Sequence, residues 1–190
     1  MKKAFTLSEM LVCITIIAVL TVLFLSTTRA KPNSNMIMFR KAYNITSNAV
    51  YDMLQSAIYY DSGLLSNTAP TAQKVEGEYP RGTSKFCKIF ASYINTAGNI
   101  DCSKGTGESF STLDGISWYL PPKTTSGTFS GRETIKVDVN GSENQPNCEA
   151  GSPDCKSPDI FKIEISETGK MYISEEIAKN YLQNTKNISK

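Results

Sequence analysis

The residues able to do chemistry in this chain are few, and their types restrict it at once. Among 190 residues there is no histidine. That removes Ser-His-Asp and Cys-His catalysis, histidine pH switching and most catalytic zinc sites. Five cysteines are present: Cys13, Cys87, Cys102, Cys148 and Cys155. No two form a C-x-x-C pair, so a dithiol redox motif and a zinc cage both lack their spacing. The scattered Asp, Glu, Lys and Ser residues make no nucleophile–base constellation. The expectation is a protein that is not an enzyme and holds no cofactor or metal. One acidic residue stands apart. Glu9 sits at the start of an apolar run, where a carboxylate is costly and marks a functional position by default.

The element that must position Glu9 is that run. Met10 to Leu25 reads MLVCITIIAVLTVLFL, with Thr15 and Thr21 as its only clearly polar side chains. Both are short hydroxyls able to bond a carbonyl one turn back. From Phe5 to Leu25 a helix would measure roughly 31 Å, against a bilayer core of about 30 Å. A secretory signal peptide would have an apolar region of only about 7–15 residues and a small-residue cleavage site; here STTRAK follows. A core helix this apolar on all sides needs a larger protein around it. The segment is therefore expected to span a membrane. Lys2 and Lys3 hold its start in the cytoplasm by the positive-inside rule, while Arg29 and Lys31 beyond the span pull the other way. Four cysteines lie in the polar remainder, and an even count there fits disulfides in an oxidising compartment. Cys13 sits in the apolar helix as a small hydrophobe. Glu9 finds no base on its own helix face, since Val12 and Cys13 follow at i+3 and i+4. It is either solvated among lipid headgroups or paired with a group from elsewhere.

Beyond the span, Lys31-Pro32-Asn33-Ser34 interrupts the pattern, and Pro32 kinks or restarts the helix. A second, amphipathic helix is expected to about Asp61. Phe39, Tyr43, Thr46, Val50, Met53, Leu54, Ala57 and Ile58 recur at three- and four-residue steps, and Ser62-Gly63 is a stop. Span and helix together would make a rod of roughly 80 Å. Residues 64–84 read as a loop and Lys85 to Ile94 as a short helix. Segments 109–113 and 116–120 flank Asp114-Gly115, which predicts a hairpin with a type I′ turn. Thr134 to Val139 alternates, as do Phe161, Ile163 and Ile165. Met171-Tyr172-Ile173 follows a turn, and Ser174-Glu175-Glu176 opens a terminal helix to about Asn184. The sum is an α+β head of about four or five antiparallel strands with one face on the helix stripe. The 20 basic and 18 acidic residues are balanced, so no nucleic-acid partner is expected. The four head cysteines can pair three ways. Proximity favours Cys87–Cys102 and Cys148–Cys155, and closing a loop of about 15 residues is worth roughly 3 kcal/mol.

Lys2-Lys3-Ala4-Phe5-Thr6-Leu7-Ser8-Glu9-Met10-Leu11 closely resembles the processing site of type IV prepilins and of the pseudopilins of type II secretion. The resemblance covers about the first 25 residues. It implies a type IV pilin-like fold: a long N-terminal helix, half membrane-spanning and half amphipathic, packed on a small antiparallel head with disulfides. It implies a prepilin peptidase that cuts between Ala4 and Phe5 and N-methylates Phe5. The organisation is then leader 1–4, membrane or filament-core helix 5–30, amphipathic helix 31–63 and α+β head 64–190. Removal of Lys2 and Lys3 leaves 18 basic against 18 acidic side chains. Two positions depart from the pattern: Ala4 stands where Gly is usual, and Ser8 where Ile or Val is frequent.

The resemblance also gives Glu9 a partner. The Phe5 amine of an incoming subunit can meet Glu9 of a neighbour, a poorly solvated pair that fixes axial register between featureless apolar helices. The partners implied are the peptidase, other pilin or pseudopilin subunits, an inner-membrane assembly platform and the lipid bilayer. The protein would sit in the inner membrane, N-terminus cytoplasmic and head periplasmic, before entering a periplasmic or cell-surface filament. Some pseudopilins bind calcium in a head loop, and the segment from Asp138, Asn140 and Gly141 through Pro146, Asn147 and Asp154 to Asp159 has oxygen ligands. Its spacing does not match an EF-hand, and it reads as a turn-rich connector stapled by Cys148–Cys155. Three roles stay open: a structural filament subunit, a minor tip subunit acting as adhesin or substrate-binding module, and a plain single-pass anchored periplasmic protein.

Overall fold

The computed structural model describes residues 10–17 and 34–183. Residues 10–17 are helical (α1) and fall in one unit of the chain, while Asn35–Thr185 forms a second.

The second unit is built on α2 (Ser34–Gln55), which buries Phe39, Ala42, Thr46, Ala49, Val50 and Met53. These recur at three- and four-residue steps, so one stripe of the helix faces inward. The buried hydroxyl of Thr46 donates to the Ala42 carbonyl at 2.9 Å, which leaves no polar cost on that stripe. The helix stops at Gln55, short of the expected Asp61. The amides of Tyr59 and Tyr60 both donate to the Ser56 carbonyl, and this turn carries Tyr60 into the core, with the Lys85 ammonium 4.4 Å from its ring centre. Ile58, expected on the stripe, is consequently exposed. After a long loop and a short 3₁₀ turn (Gly82–Ser84), α3 (Lys85–Ser92) buries Phe86, Cys87, Ile89 and Phe90.

Six antiparallel strands follow in sequential order, a meander. They are β1 (Thr96–Ala97), β2 (Phe110–Thr112), β3 (Ser117–Tyr119), β4 (Arg132–Asp138), β5 (Ile160–Ser166) and β6 (Met171–Tyr172). The expected number is thus exceeded, and β1 is the addition: two residues are too few to show a period. The β2–β3 hairpin departs from the expected type I′ turn. The Gly115 amide closes on the Thr112 carbonyl and the Thr112 amide on that of Ile116. Gly115 has φ +86, while Asp114 does not take positive φ. This is the three-residue loop with its glycine in the left-handed position.

Direct partners across the sheet put Phe110, Trp118, Val137 and Phe161 in one row on one face, and all four are fully buried. Helices cover that face. The Phe39 ring lies 4.4 Å from Phe161 and Phe90 lies 5.5 Å from Trp118. Each such side chain contributes about 1.5–3 kcal/mol on burial. The opposite face carries the row Tyr119, Lys136 and Lys162. Glu149 bridges the two lysines at 2.5 and 2.6 Å. A last helix, α4 (Glu176–Gln183), brings Tyr181 to within 5.7 Å of Phe161. Near the start of α2, the Arg40 guanidinium donates to the Tyr181 carbonyl and the Asn35 amide to that of Pro158. The expected end of this last helix at Asn184 lies outside the described residues.

Candidate functional site

Two places bear on function: the apolar N-terminal segment and the β4–β5 loop of the head. Of the first, α1 is described. Its residues 10–17 are all exposed. The large apolar ones, Met10, Leu11, Val12, Ile14, Ile16 and Ile17, retain 53–63% of their accessible surface. The segment is apolar on every side and exposed, the kind of surface that marks an interaction with lipid or other helices. Its one hydroxyl costs nothing there, because Thr15 donates to the Val12 carbonyl at 2.8 Å. Cys13 is a free, exposed thiol on the same turns. Ala4, Phe5 and Glu9 lie outside the described residues, as does most of the expected span. Among the described residues, no helix is long and apolar enough to cross a membrane.

The β4–β5 loop is organised by two acids. β4 ends on Asp138, whose partner Ile160 begins β5 directly after Asp159. The two acids therefore meet at one end of the sheet, and both are fully buried. Asp159 accepts the amides of Asn147 and Cys148 at 2.9 and 2.8 Å, which folds the loop back onto the strand. Asp138 accepts the amides of Asn140 and Gly141, while its Oδ2 has no partner. Burial, then the field of Asp159, pushes the Asp138 carboxyl up to about 6. The loop asparagines spend their amide groups internally: Asn140 on the Gln145 carbonyl, Asn144 on that of Asn140, and Asn147 on that of Ser142. Gly141 has φ +88, and a Cβ there would stand 2.7 Å from the Gly115 carbonyl oxygen. Glycine is required at this close approach between the loop and the hairpin.

Disulfides join Cys148 to Cys155 and Cys87 to Cys102. The first staples the loop, and the second ties α3 to the segment before β2. Asp154 is exposed on the loop's outer turn. Among the described residues, no group of three or more His, Cys, Asp or Glu side chains is placed to hold a metal ion. Two participants have no signal in the sequence. Glu108, just before β2, adds a negative field at Asp138 and accepts from Ser142. Glu149 extends from the loop over the outer sheet face, and its two lysine hydrogen bonds hold its carboxyl below the usual range. Neither stands at a spacing that links it to its partners. A further shallow cavity of about 280 Å³ lies between α2 and the hairpin tip, lined by Ile45, Tyr93 and Leu113 beside the Lys41–Asp114 ion pair.

Residues 1–25 match the family model described as the prokaryotic N-terminal methylation motif. That match supports a type IV prepilin-like family for this chain. The motif implies processing by a peptidase and assembly with other pilin subunits. No curated protein and no solved structure matches the chain.

Proposed function

We propose that this protein is a structural subunit, a pilin or pseudopilin, of a type IV pilus or type II secretion filament. A prepilin peptidase removes residues 1–4 by cutting between Ala4 and Phe5, and methylates the new amine of Phe5. Residues 5–30 then anchor the subunit in the inner membrane, single-pass, with the head in the periplasm. Residues 31–63 carry the chain into the head, which occupies 64–190. The mechanism is assembly through the N-terminal helix, and no catalysis is involved. The observation that supports this reading best is α1, apolar on all faces and exposed, within the stretch that matches the methylation motif. A surface of that kind is stable only when lipid or neighbouring helices bury it.

Within the filament, the methylated amine of an incoming subunit pairs with Glu9 of one already in place. Both groups are poorly solvated there, so the pair sets axial register, which apolar packing alone leaves loose. The test is mass spectrometry of the protein's N-terminus from its native host, with and without the peptidase gene. The expected result is a chain beginning at a methylated Phe5, and an intact leader in the null strain. Retention of Met1 to Ala4 in peptidase-competent cells overturns the proposal. Glu9→Gln is expected to insert normally and to be depleted from sheared filaments. Copy number in those filaments separates a major from a minor subunit.

A further inference from the structure

The fold buries a pair of acids that assembly does not use. We propose that the buried Asp138–Asp159 pair makes the β4–β5 loop a proton-operated latch, closed on the sheet while Asp138 holds a proton and loosened when that proton is lost.

The two acids have different surroundings. Both oxygens of Asp159 accept backbone amides of the loop, so its hydrogen-bonding capacity is used in holding the loop to the strand. Asp138 has amide donors to one oxygen only, and its Oδ2 is buried without a partner. An ionised Asp138 therefore leaves a buried charged oxygen with no protein donor, which favours the protonated form. The amides of Asn140 and Gly141 favour its charge, but burial and the surrounding acids outweigh them. Asp159, immediately before β5, and Glu108, in the segment before β2, both oppose ionisation of Asp138. β3 contributes Ser117, its direct partner, and Tyr119, a neutral phenol whose own ionisation Asp138 opposes. Among the described residues, no lysine or arginine forms an ion pair with Asp138, Asp159 or Glu108.

The sign follows from the direction of the shift. The closed loop raises the Asp138 carboxyl from 3.8 to about 6. A group that ionises less readily in the closed form stabilises closure below its ordinary value, and that stabilisation drains away as pH rises to about 6. About two pH units of difference correspond to up to roughly 100-fold in the loop's opening equilibrium. Once open, the loop frees the amides of Asn147 and Cys148, while Cys148–Cys155 keeps its tip together.

The experiment is amide hydrogen exchange of Asn147 and Cys148 in the full chain in detergent micelles, with a chelator present. It runs between about pH 3.5 and 7.5 and is corrected for intrinsic exchange. In the native chain, protection is expected to fall by up to roughly 100-fold between about pH 4 and 6 and to level off above that. Asp138→Asn removes that dependence. Glu108→Gln, which relieves one of the two negative neighbours, moves the midpoint down. A flat native profile, or an Asp138→Asn profile as steep as the native one, overturns the proposal. If Asp138→Asn does not fold, the Glu108→Gln midpoint decides, and an unmoved midpoint counts against the latch.

Discussion

Replacing Ile14 by lysine separates the two jobs of this chain, because Ile14 belongs to α1 and retains 63% of its surface. So exposed a side chain contributes little to the folded unit's own packing, and its substitution is expected to change unfolding by less than about 0.5 kcal/mol. In a bilayer the same change is severe. Isoleucine at a helix centre favours insertion by about 0.3–0.6 kcal/mol, and lysine opposes it by about 2.5–3.5. The swing is about 3–4 kcal/mol, or roughly 100- to 1,000-fold in partition. Both halves can be read in one preparation. An alkaline wash of the membrane fraction reports anchoring. Urea unfolding followed by the fluorescence of the single tryptophan, the fully buried Trp118, reports the head. The expected outcome is an unchanged urea midpoint with most of the variant washed off or never inserted. Thr15→Val is the control. Its hydroxyl is already bonded within its own turn, so the variant stays as firmly anchored as the native chain. An Ile14→Lys protein that resists the wash like the native one refutes the reasoning, and so does a loss of head stability above about 1 kcal/mol.

The remaining predictions concern the head. Gly127→Ala places a Cβ 2.7 Å from the Thr83 carbonyl oxygen at φ +74, so backbone strain and overpacking together are expected to cost about 2–4 kcal/mol. Gly98→Ala has φ +79 and open space around it, and should cost only the strain, about 1–2 kcal/mol; equal urea midpoints for the two would show that the close approach to Thr83 is unimportant. Replacing both cysteines of the Cys87–Cys102 bridge, whose ends are 15 residues apart, should lower stability by about 3 kcal/mol, and removing Cys148–Cys155, at a separation of 7, by about 2. Calorimetry of the two double serine variants checks that order.

How much was legible depended on how long each pattern ran. Ile135, Val137 and Val139, and Phe161, Ile163 and Ile165, alternate over long strands, and each of the six is buried as the alternation requires. The stripe of α2 was readable from Phe39, Thr46, Val50 and Met53. Its alanines, Ala42 and Ala49, were not, because a methyl group carries little hydropathic signal although it marks where a helix is buried against its neighbours. The early stop at Gln55 was hidden because Ala57 and Ile58 continue the period, while the burial of Tyr60 breaks it. The hairpin was placed correctly from Asp114-Gly115, but its loop length depends on the register of Thr112 with Ile116, which a dipeptide does not encode. In the β4–β5 loop the residue types pointed to turns and oxygen ligands. The decisive facts were depth and company: Asp138 is buried and faces two other acids.

Both outermost strands, β1 and β6, are two residues long. Such stubs offer a stranger's backbone almost no ladder to extend. Heads of this kind are poor at stitching themselves into a continuous cross-molecular ribbon of the sort that survives boiling in detergent. Any polymer this protein makes should owe its cohesion to greasy helices and fall apart when a surfactant competes for them, so that subunits can be returned and used again.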